Sequence, residues 1–173
     1  MPKVVDHDAR RALILDRCFE LFARHGYGSV RMRQIARETG LSIGSIYHYF
    51  PDKEAIGEQL FQHAAMRFAV EAEGRIQPGM SRPERLQAVW EFIEPRQETL
   101  TQLLLLGLDH HRLYPQGRSA TVGAMRSFKA LLRQLVALEP EEVDALYSLL
   151  CGAMIRAVLD PEDMRLEDQL AGF

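Results

Sequence analysis

Cysteine is nearly absent from this chain, which has only Cys18 and Cys151. The two are far apart and match no metal-ligand spacing. Each lies among apolar residues at helical spacing, so each reads as a small buried hydrophobe, with a redox switch as the lesser alternative. Long hydrophobic runs are missing too. Crossing a bilayer takes about 18 apolar residues, and the longest stretch here is residues 103–108, interrupted by Gly107. The opening residues 1–11 are polar and lack the apolar run of a signal peptide. A cytoplasmic location, with no membrane partner, is therefore expected. There is no phosphate loop, nucleophile motif, carboxylate pair in an apolar setting or metal signature. No enzyme activity, cofactor or metal is expected. No alternating strand pattern, low-complexity tract or internal repeat occurs, which excludes the common β architectures.

What is present suits a helical globular protein. Of 173 residues, 47% are hydrophobic and 26% charged, enough to bury a core without disulfide or metal staples. The net charge of −3 is unevenly spread. Residues 1–53 carry nine Lys/Arg against six Asp/Glu, whereas residues 54–173 carry twelve against eighteen. A basic first third on an acidic remainder suggests that only the first third meets a polyanion.

Punctuation along the chain divides it into about eight helices. Ile14, Cys18, Leu21 and Phe22 fall on one helical face, with Asp8 as the expected cap and Gly26 as the stop. A short helix over about 31–39 turns Met32, Ile35 and Ala36 inward and ends at Gly40. Leu41 is expected as a buried plug, and Ser42 as the cap of a third helix over 43–49. Asp52 caps a long fourth helix over about 53–76. After the Pro78-Gly79 break, helices follow over about 83–94, 96–113, 119–138 and 141–159. Pro95, the run Tyr114, Pro115, Gln116 and Gly117, then Glu139-Pro140 and Asp160-Pro161 separate them.

Helices two and three, joined by a tight turn at Gly40, follow the physical recipe of a helix-turn-helix, whose second helix enters the major groove. Ile46 and Phe50 are four apart and should point inward. Ile43, Gly44, Ser45, Tyr47 and His48 are then left on or near the outside. Ile43 suits a thymine methyl, and Gly44 lets the backbone approach DNA closely. Ser45, Tyr47, His48 and Tyr49 offer hydrogen bonds to phosphates or bases. His48 equally suits a solvated surface. Lys53 and the free N–H groups of helix four together favour a phosphate. Arg31 and Arg33 suit backbone contact, although Arg33, like Arg37, reads as well as a solvated charge.

The run from Ala12 to Leu60 resembles the TetR family of repressors. Ile14, Leu21-Phe22, Gly26-Tyr27, Ile35-Ala36, the continuous stretch from Gly40 to Phe50, and Lys53-Glu54 carry the likeness, over about a third of the chain. The resemblance implies a homodimer that binds a palindromic double-stranded DNA operator. It also implies DNA contact by Ser42, Gly44, Ser45, Tyr47, Tyr49 and Lys53, and a helical body that binds a small-molecule effector. The implied function is a sequence-specific transcription regulator, a repressor released by its ligand. One departure concerns the family's Thr followed by Ser or Thr before helix two. Here those positions are Val30 and Arg31, and loss of a hydroxyl cap costs about 1 kcal/mol. Either Ser29 caps instead or Arg31 adds a phosphate contact.

The expected fold is all-α. A three-helix helix-turn-helix head (residues 8–68) is linked by a long helix to a C-terminal bundle (residues 69–173) that binds ligand and dimerises. In the last two helices apolar residues wrap more than one face, so cover on two sides is expected. Phe128, Leu132, Leu146, Leu150, Ala153 and Ala157 are the dimer-interface candidates. Pocket candidates are Trp90, Phe92, Leu104, His110, Tyr114, Met125, Phe128 and Met154, in a pattern that is more often core than cavity. Adjacent His110 and His111 point about 100° apart on a helix, so they do not share a metal. A protein-binding adaptor is the alternative function. The positive head and outward Ile43, Gly44 and Ser45 argue against it.

Overall fold

The computed structural model describes residues 6–115 and 118–159, and the elements within them are helical. They are α1 (His7–His25), α2 (Met32–Thr39), α3 (Ile43–Tyr49), α4 (Lys53–Glu73), α5 (Arg82–Ile93), α6 (Gln97–Leu113), α7 (Arg118–Val136) and α8 (Pro140–Leu159). A 3-10 turn, Glu94–Arg96, joins α5 to α6 at Pro95. No described helix is long and apolar enough to cross a membrane. The breaks expected at Gln116-Gly117 and Asp160-Pro161 lie outside the described residues.

Helix ends follow local chemistry, with some corrections. The cap of α1 is Asp6, not Asp8: its carboxylate accepts from the N–H groups of Asp8 and Ala9, both at 3.1 Å. Asp8 sits in the first turn, where an acid suits the helix dipole. Helix α4 ends at Glu73 rather than Ile76 because Gly74 loosens the last turn. Helix α7 stops at Val136, and Ala137 takes φ 57°, the left-handed position usually left to glycine.

The chain forms two compact units. One takes Met1–Arg67 with Leu105–Ala124; the other takes Phe68–Leu104 with Met125–Phe173. Residues 105–124 thus join the N-terminal unit, beyond a head bounded at residue 68. Their contacts there explain this. Phe61 lies against Gly107, His110 against Gly57, and Leu113 against Gly28.

In the N-terminal unit, Ile14, Leu15, Cys18, Leu21 and Phe22 form the buried face of α1. They pack with Tyr27, Val30, Ile35, Ile46, Phe50, Ile56 and Leu60, all buried. Burying such a side chain contributes about 1.5–3 kcal/mol. Burial pushes the Cys18 thiol up to about 12, so it stays protonated, as a small core hydrophobe should. Polar ties close the edges: Arg24 to Glu38 at 2.6 Å, and Asp16 to His63 at 2.9 Å and to Arg67 at 2.8 Å.

The second unit has its own core. Phe92, Ile93, Leu132, Val136, Leu146, Leu150 and Met154 are among its buried members. Arg96 lies over the Phe92 ring at 4.2 Å and bonds Glu71 at 3.0 Å. Lys129 on α7 bonds Asp144 on α8 at 2.7 Å.

Candidate nucleic-acid interface

The turn between α2 and α3 is built from backbone chemistry. Gly40 takes φ +70°. Its N–H reaches the Arg37 carbonyl at 3.2 Å, and the Leu41 N–H reaches Ala36 at 3.0 Å. This crossed pair ends α2, and any L side chain at position 40 would be strained. Leu41 is half-buried rather than a fully buried plug, and Met32 is likewise half-buried. Ser42 then caps α3, accepting from the Ser45 N–H at 3.0 Å while the two hydroxyls pair at 2.8 Å.

The start of α2 resolves the departure noted above. Ser29 does not cap it; its hydroxyl donates back to the carbonyls of His25 and Gly26, closing α1. Instead the Gln34 carboxamide oxygen accepts from the Arg31 N–H at 2.8 Å. That is one half of a capping box, the half that needs no hydroxyl.

Helix α3 presents two unlike faces. Ile46 and Phe50 are 0% exposed, whereas Ile43 is 38% and Tyr47 51% exposed. Ser42, Gly44 and His48 are also exposed, and Ser45 and Tyr49 are half-buried. A Cβ built on Gly44 would meet nothing nearer than the Ser42 hydroxyl at 3.9 Å. The glycine therefore answers no need of the fold itself. Arg31 and Arg33 are exposed at the start of α2, as is Arg37 further along.

Two predicted contacts already have partners within the chain. Lys53 donates from its ammonium to the carbonyls of Tyr27 (2.9 Å), Gly28 (3.3 Å) and Val30 (3.0 Å). It lies 4.7 Å from the Tyr27 ring centroid, and burial pushes its pKa below the usual lysine value. The Tyr27 hydroxyl donates in return to the Lys53 carbonyl at 2.7 Å. This reciprocal lock fixes the α1–α2 connection against the start of α4, whose cap is Asp52 through the Ala55 N–H at 2.8 Å. The Tyr49 hydroxyl meets His7 Nδ1 at 3.4 Å.

Lys53→Met should therefore act first on the fold. Losing three carbonyl bonds is expected to cost about 1–3 kcal/mol and several degrees of melting temperature. The salt dependence of DNA binding should keep its slope, whereas loss of a phosphate contact would reduce that slope by about one. Calorimetry and a salt titration on the same variant separate the two roles.

Sequence reasoning missed Arg11. Its guanidinium donates to the Tyr49 carbonyl at 3.0 Å and to Gln59 at 2.8 Å, 5.3 Å from the Phe50 ring centroid. One half-buried cation thus ties α1, the end of α3 and α4 together. Its partners are 38 and 48 residues away, beyond any local pattern.

A sequence model described as "Bacterial regulatory proteins, tetR family" matches residues 14–60, the segment just described. The HTH-type transcriptional regulator PksA of Bacillus subtilis (strain 168) is 25% identical, over 93% of this chain and 84% of its own length. The HTH-type transcriptional regulator BetI of Cronobacter sakazakii is 30% identical, over 96% of this chain and 88% of its own. The chain belongs to the TetR family. It is a DNA-binding transcription regulator, as its TetR-family relatives are. A transcriptional regulator from Saccharomonospora viridis, crystallised in complex with choline, shares the fold with TM-score 0.73 at 21% identity. That likeness covers 93% of this chain and 91% of the other.

The remaining sequence candidates fall in different places of the TetR-family fold. Of the pocket set, His110 and Tyr114 belong to the N-terminal unit. Trp90, Phe92, Leu104, Met125, Phe128 and Met154 belong to the other. Phe92 and Met154 are buried in its core, with Leu104 and Phe128 packed against it. Of the dimer set, Leu132, Leu146 and Leu150 are core members of their own unit. Ala153 is buried too, while Phe128 and Ala157 are half-buried. The exposed apolar side chains of α8 are instead Ile155, Val158 and Leu159. Among the described residues no group of three or more His, Cys, Asp or Glu could hold a metal ion.

Proposed function

We propose that this TetR-family regulator represses transcription as a homodimer, laying α3 of each protomer in the major groove of a palindromic operator until a small organic ligand releases it. The observation that carries the DNA reading is the two-faced α3, with Ile46 and Phe50 sealed and Ile43, Gly44, Tyr47 and His48 outward. In this reading Ile43 meets a thymine methyl, and Ser42, Ser45, Tyr47 and His48 bond phosphates or bases. Arg31 and Arg33 bind the backbone from α2. Tyr49 takes part with His7 beside it, and Lys53 acts through the connection that it holds.

The head is residues 8–68, with residues 69–173 binding the ligand and the second copy. Along α8, Ala145, Ser148, Gly152, Ile155 and Leu159 recur at i, i+3, i+7, i+10 and i+14, all exposed. Small residues followed by larger apolar ones on one stripe suit close packing against the same helix of another copy. The half-buried Trp90, Leu104, Met125 and Phe128 are the ligand candidates. The choline complex of the structural relative supports a small organic ligand.

Selection of bound sequences from random DNA, followed by a salt titration on the selected duplex, tests the proposal. Log affinity should fall linearly with log salt, with a slope set by several phosphates per dimer. Absence of duplex affinity at every salt concentration would replace this reading with the protein-binding adaptor. Tyr47→Ala should weaken operator binding about tenfold or more per half-site while its melting temperature stays put. Mobility shift and calorimetry check it together.

A further inference from the structure

His110 is 0% exposed, and neither of its ring nitrogens has a well-aligned hydrogen-bond partner. A buried polar group in that state calls for an explanation. Its ring lies in an aromatic box: 5.4 Å from Tyr27, 5.7 Å from Phe61 and 5.1 Å from Tyr114, centroid to centroid. The box is closed by Gly57, a glycine in the middle of α4. A Cβ there would come within 2.6 Å of His110 Cδ2 and 2.8 Å of the Tyr27 hydroxyl. Glycine in a helix interior is unfavourable by about 1 kcal/mol, and here its place admits the imidazole. Behind the ring lies the reciprocal Tyr27–Lys53 lock.

We propose that neutral His110 is a positioning residue for the DNA-reading head, holding Tyr27 in its lock with Lys53, and that protonation of His110 opens this contact and weakens operator binding. The proposal rests on α3 being the reading helix. Imidazolium carries two N–H donors and a charge. The box offers aromatic rings and, apart from the Glu54 carbonyl, which makes no well-aligned bond, little to compensate a charge, so the charged ring favours an opened box.

The groups around the ring have opposite effects. Tyr27 faces it from the α1–α2 connection, with Lys53 beyond. Glu54 and Glu58 of α4 favour the charged ring, as does the Glu54 carbonyl. On α6, Tyr114 lies beside it and His111 opposes the charge. Burial outweighs the rest and holds the imidazole below its usual value. The opened state therefore takes up a proton first as pH falls through about 6.5. Stability of the closed box is full above that pH and is lost as pH drops towards the folded value.

The test compares the full chain with His110→Phe, which keeps an aromatic ring in the box, and with His110→Gln, which stays neutral. Operator affinity and protein melting are followed from about pH 7.5 to about pH 5.5. The ratio of wild-type to His110→Phe affinity cancels every pH effect that the two proteins share. That ratio should fall as the pH drops from about 7.5 to about 5.5, by up to about tenfold, the limit set by proton uptake of the opened state near pH 6.5. Wild-type melting should drop more steeply with acid than that of either variant. Parallel pH profiles for wild type and both variants, in binding and in melting, would overturn the proposal. If His110→Phe fails to fold, His110→Gln decides alone. Should wild type bind no duplex at about pH 7.5, the reading of α3 falls, while the melting profiles still judge His110.

Discussion

Gly44→Glu is expected to abolish specific DNA binding while leaving the protein as stable as before, or slightly more so. The site is exposed in the first turn of α3, and a Cβ there meets nothing closer than 3.9 Å. Glutamate is a better helix former than glycine, and an acid in the first turn suits the helix dipole. The fold thus has no objection to the change. The groove does, because a longer anionic side chain would hold the backbone away from base edges and repel phosphates. If each half-site loses about 2 kcal/mol, a dimer loses roughly 4 kcal/mol, on the order of a thousandfold in affinity. Fluorescence anisotropy on the selected duplex, beside calorimetry of the free protein, reads both parts. Binding within about threefold of wild type would remove α3 from the groove.

Leu150→Arg separates a core from an interface. Leu150 is buried in the core of its own unit, with Leu132, Leu146 and Val136. An unpaired charge there costs about 3–5 kcal/mol, out of the roughly 5–15 kcal/mol that holds a protein together. The variant should lose much of its helical signal near physiological temperature. Ile155→Arg, one and a half turns further on, changes an exposed position. That variant should keep its helical signal and, on the homodimer proposal, sediment at half the wild-type mass. A wild-type melting curve for Leu150→Arg would contradict the burial, and a wild-type mass for Ile155→Arg would move the interface off this stripe.

These cases show what local pattern could and could not reveal. The spacing of Gly40, Ser42, Ile46 and Phe50 was legible, because capping and helical periodicity act within a few residues. In α8 the pattern announced two apolar faces but not which one the protomer keeps for itself. Leu146 and Leu150 read as partner-facing from spacing alone, and in the structure they lie in the core of their own unit. That choice depends on the direction from which other helices approach. Lys53 is a similar case: a lysine at a helix start reads as a phosphate ligand, while its carbonyl partners in the structure lie 23–26 residues back. Gly57 was the overlooked clue. A glycine inside a long helix marks a close neighbour, and the neighbour is His110 on α6.

The intramolecular partners of Arg11, Arg24 and Lys53 bear on how the protein would find its target. Each is bonded to another part of its own unit, so the nine basic residues counted in the first third overstate the cationic surface offered to a polyanion. On the proposed reading, a weaker general pull on phosphates would shorten the dwell on random sequence, so that the search for a target would proceed by frequent release. Discrimination would then fall to shape and hydrogen bonding along one short helix, where a single misplaced side chain would have the largest effect.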